Sequence, residues 1–261
     1  MKICTLASSS SGNSTYIETK NYKILIDIGR TKKYIVEKLK EINVDYHDID
    51  YVFLTHTHDD HTKSLHTFFK GIKATLVVTQ KMLLELNDIS DIENIIVYED
   101  DPQIVGLDIK TFVMSHDVAD VRAFLINDGD SSLIYITDTG YINSKYFKEM
   151  KGKTAYYIES NHDIEMLRHG PYPRWLQERV LSDEGHLSNK FTGIYLSKLI
   201  NENTKDIILL HLSDKNNNED VALNTISEYI DFNKVHIECA NKNDIGSVIE
   251  LINIISFKLL N

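Results

Sequence analysis

The segment Thr55-His56-Thr57-His58-Asp59-Asp60-His61 sets four metal-competent side chains, His56, His58, Asp60 and His61, within six positions. It follows Tyr51-Val52-Phe53-Leu54, an apolar run that reads as a buried strand, so the cluster lies on a tight turn at a strand end. Imidazole and carboxylate groups are costly to bury without partners, which argues against core filler. His56 and His58 alternate and can converge on one cation, while Asp60 and His61 turn to a second. Neutral imidazole with carboxylate suits zinc, and mixed nitrogen and oxygen sites also take manganese or iron.

A motif this short cannot complete two coordination shells, so further ligands are expected downstream. His116 follows Asp108–Val113, Asp138 follows Leu133–Ile136, and His211 follows Ile207–Leu210. Each stands just past an apolar run, where strand ends collect polar groups. Paired metals held this way suit phosphodiester hydrolysis, supplying a nucleophile near neutral pH and neutralising charge as it develops on phosphorus. A serine nucleophile is set aside, because no Gly-x-Ser-x-Gly elbow is present.

The scaffold for these positions is legible as alternation of short β-rich runs with polar turns. Strands are expected at Lys2–Thr5, Thr15–Glu18, Lys23–Ile26, Val52–Thr55, Leu76–Thr79, Ile95–Tyr98, Asp108–Val113, Val121–Ile126, Ser132–Thr137, Thr154–Glu159 and Ile207–Leu210. Helical spacing of Ile35, Val36, Leu39 and Ile42 predicts a helix over Lys32–Ile42, and Leu65, Phe68 and Phe69 predict another after the histidines. Later helices fit Ser188–Ile200 and Glu219–Tyr229. No Gly/Ser/Pro linker or internal repeat divides the chain. An α+β fold is expected, a four-layer αββα sandwich forming one domain over residues 1–261. The apolar segment of about 246–261 is left unplaced. Val248, Leu251, Ile252, Ile255 and Leu259 share a helical face, yet the run is Ile-rich enough for a strand. Its expected role is core packing, with a subunit interface, and so a homodimer, as the alternative.

The balance of 28 Lys plus Arg against 39 Asp plus Glu, formally −11, argues against binding nucleic acid by general electrostatics. Bound divalent metals can still reverse the field at one cleft. No stretch is apolar enough to span a bilayer, no signal peptide is visible, and Cys4 and Cys239 form no disulfide framework. A cytoplasmic location with no membrane partner is expected.

The whole pattern resembles the metallo-β-lactamase superfamily, whose HxHxDH signature stands here as His56, His58, Asp60 and His61. The resemblance implies two divalent metal ions, Zn2+ or Mn2+. One would take His56, His58 and His116, the other Asp60, His61 and His211, with Asp138 bridging both. It also makes Asp60 a catalytic residue and has Asp27, in Leu25-Ile-Asp-Ile-Gly29, support the histidine loop from behind. His58 stands where the flavodiiron branch has a carboxylate, which disfavours an oxygen-reducing di-iron centre. The cysteines lie outside every ligand motif.

Three further segments narrow the branch. Leu6-Ala-Ser-Ser-Ser-Ser-Gly12-Asn13, then Glu159-Ser-Asn161-His162-Asp163 with Gly185-His186-Leu-Ser188-Asn189, and His211-Leu-Ser213 with Asn216-Asn217-Asn218 are similar to the YycJ (WalJ) branch. That branch implies an exonuclease acting from 5′ ends of DNA. A cyclic-nucleotide phosphodiesterase of phage type and a tRNase Z-like ribonuclease are the alternatives. The departing alkoxide needs a proton, for which His186 is the best donor, and Glu–His pairs of the tRNase Z branch suggest Glu159 as its orienting partner. Ser8–Ser11 with Gly12 either cradles a phosphate, with Ser11 and Asn13 touching substrate, or forms a supporting turn. His162–Arg179 interleaves aromatics with arginines, so Arg174 and Trp175 are candidate contacts to nucleic acid, against a purely structural loop.

Overall fold

The computed structural model describes residues 1–87, 89–129 and 131–251. Strands β1 (Lys2–Ala7), β2 (Ser14–Glu18), β3 (Lys23–Ile26), β4 (Tyr51–Phe53), β5 (Thr75–Thr79) and β6 (Ile95–Tyr98) lie in the first sheet. The second holds β7 (Asp108–Val113), β8 (Arg122–Asp128), β9 (Ser131–Ile136), β10 (Ala155–Glu159), β11 (Asp206–Leu210) and β12 (His236–Cys239). A short β13 (Ile249–Glu250) returns to the first sheet, whose order is β13-β1-β2-β3-β4-β5-β6, while the second runs β12-β11-β10-β9-β8-β7. Each sheet has an antiparallel half and a parallel half. In the first, β3 to β6 are parallel; in the second, β9 to β12 are.

Parallel strands need crossovers, and burial of one face by helices and of the other by the facing sheet makes those strands apolar throughout, as in Lys23-Ile-Leu-Ile26 and Asp206-Ile-Ile-Leu-Leu210. Apolar side chains divide accordingly into three layers. Ile17, Ile24, Ile26, Phe53 and Val77 meet Phe124, Ile126, Leu133, Tyr135 and Tyr157 between the sheets. The opposite face of the first sheet (Leu25, Val52, Leu76 and Val78) is covered by Ile35, Leu39, Phe68 and Met82 from helices. The other outer face (Ile134, Ile136, Tyr156, Ile207 and Leu209) is covered by Leu196, Leu199, Ala222 and Ile226. Helix, sheet, sheet, helix is thus the order of layers, as expected. The helix starts follow from local capping: Thr31, Ser188 and Asn218 each accept a hydrogen bond from the backbone three residues on.

Differences from expectation concentrate at strand ends and in the 160–185 region. β4 stops at Phe53, so Leu54 and Thr55 already belong to the loop. Helices Gln80–Glu85, Ile164–His169 and Arg174–Leu181 were not signalled by a long apolar period, because each buries few residues. The tail takes the strand alternative where it is described: Ile249 pairs with Ile3, and Ile249 and Leu251 enter the layer between the sheets. Val248 is 40% exposed, so the proposed helical face does not form there. Ile252, Ile255 and Leu259 lie outside the described residues.

Candidate active site

All the candidate ligands gather where strands of both sheets end. Three of those ends turn through left-handed backbone at a non-glycine residue: Asp27 (φ 61°), Asp138 (φ 40°) and His211 (φ 56°). Such conformations cost on the order of 1–3 kcal/mol each and persist where the surroundings fix them. Here they aim side chains inward.

Asp27 is fully buried after β3 and organises the histidine loop. Its Oδ1 accepts from Thr55 N at 2.8 Å, and its Oδ2 accepts from Thr55 Oγ1 at 2.8 Å and meets His61 Nδ1 at 2.7 Å. Gly29 lets the chain pass directly under Asp60, since a Cβ there would lie 1.6 Å from the Asp60 carbonyl oxygen. Asn13 ties the same loop from below, with Nδ2 donating to Asp60 Oδ2 at 3.2 Å and lying 3.0 Å from His61 Nε2.

Asp138 occupies the centre. Its Oδ2 lies 3.6 Å from His61 Nε2, 3.8 Å from His56 Nε2 and 3.9 Å from His116 Nε2. Its Oδ1 lies 2.9 Å from His211 Nδ1. Three overlapping donor groups result, each with its ligand atoms within 4.8 Å of one another: His56, His58, His116 and Asp138; Asp60, His61 and Asp138; and Asp138, Glu159, His186 and His211. His211 Nε2 lies 3.7 Å from Asp60 Oδ2, which links the second and third groups.

The donor chemistry fits cations. His116 Nδ1 meets the Gly185 carbonyl at 2.9 Å; a carbonyl only accepts, so the proton sits there and Nε2 keeps its lone pair toward the cluster. His211 Nε2 is buried and makes no hydrogen bond. Burial, reinforced by neighbouring imidazoles, holds His56 neutral, the form that ligates metal, and burial also lowers the pKa of His116. At His61 and His211 burial opposes charge, but Asp27 and Asp60 around the first and Asp138 and Glu159 around the second outweigh it and raise both well above the usual range. Carboxylates that draw protons onto two buried histidines would draw a divalent cation in their place.

Glu159 ends β10, fully buried. Its Oε1 faces His186 Nδ1 at 2.7 Å and His211 Nδ1 at 3.0 Å. Its Oε2 accepts from Thr139 N at 3.1 Å and Leu187 N at 3.0 Å. Burial opposes its charge, yet His186 and His211 hold its pKa down at about 2. His186, on a turn braced by Val180 O to His186 N at 3.0 Å, lines a cavity of about 220 Å³ over the cluster.

The suggested substrate contacts fare differently. Ser10, not Ser11, lines the cavity, and Ser11 is exposed. Asn13 is 2% exposed and bonded to Asp60 and His61, so it braces the loop instead of facing substrate. Arg174 pairs with Glu178 in solvent and Trp175 is 66% exposed; neither lines the cavity. Helical spacing explains this, for Leu176, Arg179 and Val180 take the cavity face and leave Arg174, Trp175 and Glu178 outside. Asn161 was overlooked as a brace: its Nδ2 donates to the His211 carbonyl at 2.9 Å and its carbonyl accepts from Ser213 N at 2.8 Å. The Asn161-His162-Asp163 motif was the available signal.

This geometry agrees with comparison to known proteins. A family model described as the metallo-beta-lactamase superfamily matches residues 9–148. The exodeoxyribonuclease YycJ of Bacillus anthracis is 32% identical over 231 residues, 87% of this chain and 88% of the relative. The chain belongs to the metallo-β-lactamase superfamily. The exodeoxyribonuclease WalJ of Streptococcus pneumoniae is 34% identical over 228 residues, 85% of each chain. Among solved structures, the metallo-beta-lactamase fold protein YhfI from Bacillus subtilis superposes with a TM-score of 0.71 at 15% identity, covering 94% of this chain and 98% of that one, which speaks to the fold alone. Like its relatives in the superfamily, this member is a metal-dependent hydrolase by family. No helix among the described residues is long and apolar enough to cross a membrane.

Proposed function

We propose that this chain is a two-metal exodeoxyribonuclease that removes nucleotides from the 5′ ends of DNA. The observation that carries the reading is the proximity of the Glu159–His186 pair, 2.7 Å apart, to a His/Asp cluster centred on Asp138. The names of the YycJ and WalJ relatives favour DNA as substrate. His56, His58 and His116 would hold one ion, Zn2+ or Mn2+, and Asp60, His61 and His211 the other, with Asp138 between them. Ions paired in this way supply a nucleophile at neutral pH and offset charge on the phosphoryl oxygens.

The chain's own residues do the rest. Asp27 and the Gly185 carbonyl fix the rings of His61 and His116, so their Nε2 atoms point inward without rotation. Glu159 Oε1, 2.7 Å from His186 Nδ1, fixes the orientation of the ring and leaves Nε2 as the donor toward the departing 3′-oxygen. Asp60 and Asp138 carry the negative charge that retains the cations.

The test is a panel of 5′-labelled and 3′-labelled single-stranded and duplex DNA, RNA and cyclic nucleotides, with zinc and manganese supplied separately. Mononucleotide release from DNA 5′ ends is expected. Preference for RNA or a cyclic nucleotide would replace the substrate and keep the metal chemistry.

A further inference from the structure

Arg179 is the one permanently cationic side chain among the described residues lining the cavity. Its Nε donates to Asp117 Oδ2 at 2.6 Å, and its Nη2 pairs with the same oxygen. The other carboxylate oxygen, Asp117 Oδ1, lies 3.3 Å from His116 Nε2 and 3.5 Å from His58 Nε2. Asp117 therefore spans from the guanidinium, through Oδ2, to the edge of the candidate ligand cluster, through Oδ1. A non-bridging phosphate oxygen in the place of Oδ2 would meet the same guanidinium beside the same cluster.

Arg179 is anchored at its backbone, while its guanidinium, paired with Asp117, stays partly open to solvent. A Cβ at Gly185 would lie 2.4 Å from the Arg179 carbonyl oxygen and 2.2 Å from that of Val180, so the backbone of Arg179 is locked against the turn carrying His186. The side chains of Arg179 and Asp117 are 44% and 28% exposed. An ion pair wetted to that degree is weak and exchanges partners readily.

We propose that Arg179 grips the substrate phosphate and that Asp117 is the intramolecular anion which occupies the guanidinium until phosphate displaces it. The proposal rests on the phosphodiesterase reading above and adds the group that selects phosphate at this site. No covalent step is involved; one carboxylate leaves the guanidinium and one phosphate oxygen takes its place.

The two partners make opposite predictions. Deoxyadenosine monophosphate and deoxyadenosine are titrated calorimetrically into the protein as purified, its metal content measured alongside. Arg179→Gln should weaken monophosphate binding about 10- to 100-fold, the range for losing a charge-assisted contact, and leave the nucleoside unchanged. Asp117→Asn and Asp117→Ser, by removing the competitor, should tighten monophosphate binding. In turnover, Arg179→Gln should raise KM for DNA more than it lowers kcat, and Arg179→Lys should recover part of the loss. A pair that merely ties the helix Arg174–Leu181 to the His116 loop would move all these variants in one direction, or none of them, and either result overturns the proposal. Failure of the enzymatic reading looks different: the unaltered protein would neither cleave DNA nor bind the monophosphate.

Discussion

Glu159 Oε1 lies 3.0 Å from His211 Nδ1, so the carboxylate that faces His186, the proposed proton donor, also steadies a candidate metal ligand. With Oε2 accepting two backbone N–H groups, every side of Glu159 is committed to a donor. The proposed acid–base pair and the candidate metal ligands are therefore one hydrogen-bonded unit.

Glu159→Gln should do more harm than loss of an orienting contact alone. An amide nitrogen must face either the two histidines or the Thr139 and Leu187 backbone, and each of those is already a donor. Metal affinity should fall about 10- to 100-fold, the range for losing a partner behind a ligand, together with turnover. Metal titration monitored by calorimetry checks it; unchanged affinity would confine Glu159 to His186.

His186→Ala should lower turnover by about 10²–10⁴-fold with metal content retained. A nitrophenyl phosphodiester has a leaving group that departs with little protonation, so much of the loss should vanish on it. Equal loss on both substrates would remove the general-acid role, and loss of metal would make His186 a ligand.

Asp138→Ala and Asp60→Ala should each abolish hydrolysis, with Asp138 the worse because it touches all three donor groups. Circular dichroism should remain close to that of the unaltered protein, since neither side chain belongs to an apolar layer. Near wild-type turnover in both would sink the assignment.

Elemental analysis of protein purified without chelator should find close to two transition-metal equivalents per chain. A value near zero that reconstitution does not raise would falsify the dinuclear site.

His162, outside the three donor groups, supplies a pH prediction. Both ring nitrogens are buried without hydrogen bonds. Burial pushes its pKa down to about 4. Above about pH 6.5 the ring is neutral in both folded and unfolded chains. As pH falls from there toward 4, only the unfolded chain takes the proton, so stability drops by a swing on the order of 3 kcal/mol. Denaturant melts of the protein and of His162→Gln across this window should show a shallower decline in the variant.

Strand cores and helix caps were readable from the chain because each is a local property: Lys23-Ile-Leu-Ile26 is apolar on both faces, and Ser188 starts a helix by its own hydroxyl. The ligands were readable for a related reason, as polar residues directly after such runs. For Asn13 the sequence left contact and brace both open, because its partners, Asp60 and His61, are some 47 and 48 residues away and nothing local tells one from the other. Arg174 and Trp175 could not be placed relative to the cavity because the short helix around them buries only Val180, too little to reveal which face looks inward. Thr55 was placed in a strand although its hydroxyl and N–H are taken by Asp27, a partner that only the folded sheet supplies.

The placement of the ligands on both sheets has a consequence for how the protein is made. His56 to His61 follow β4, whereas His211 follows β11, and the sheets must dock before the two sets meet. A chain still emerging from the ribosome, or cut short before His211, carries the histidine loop without the residue that completes it. On the proposed ligand set, hydrolytic capacity would be withheld until translation has passed His211 and the second sheet has closed on the first. Completion of the proposed pair of metals would be a late event in biogenesis, and a fragment ending before β11 should be inert toward the substrate of the whole.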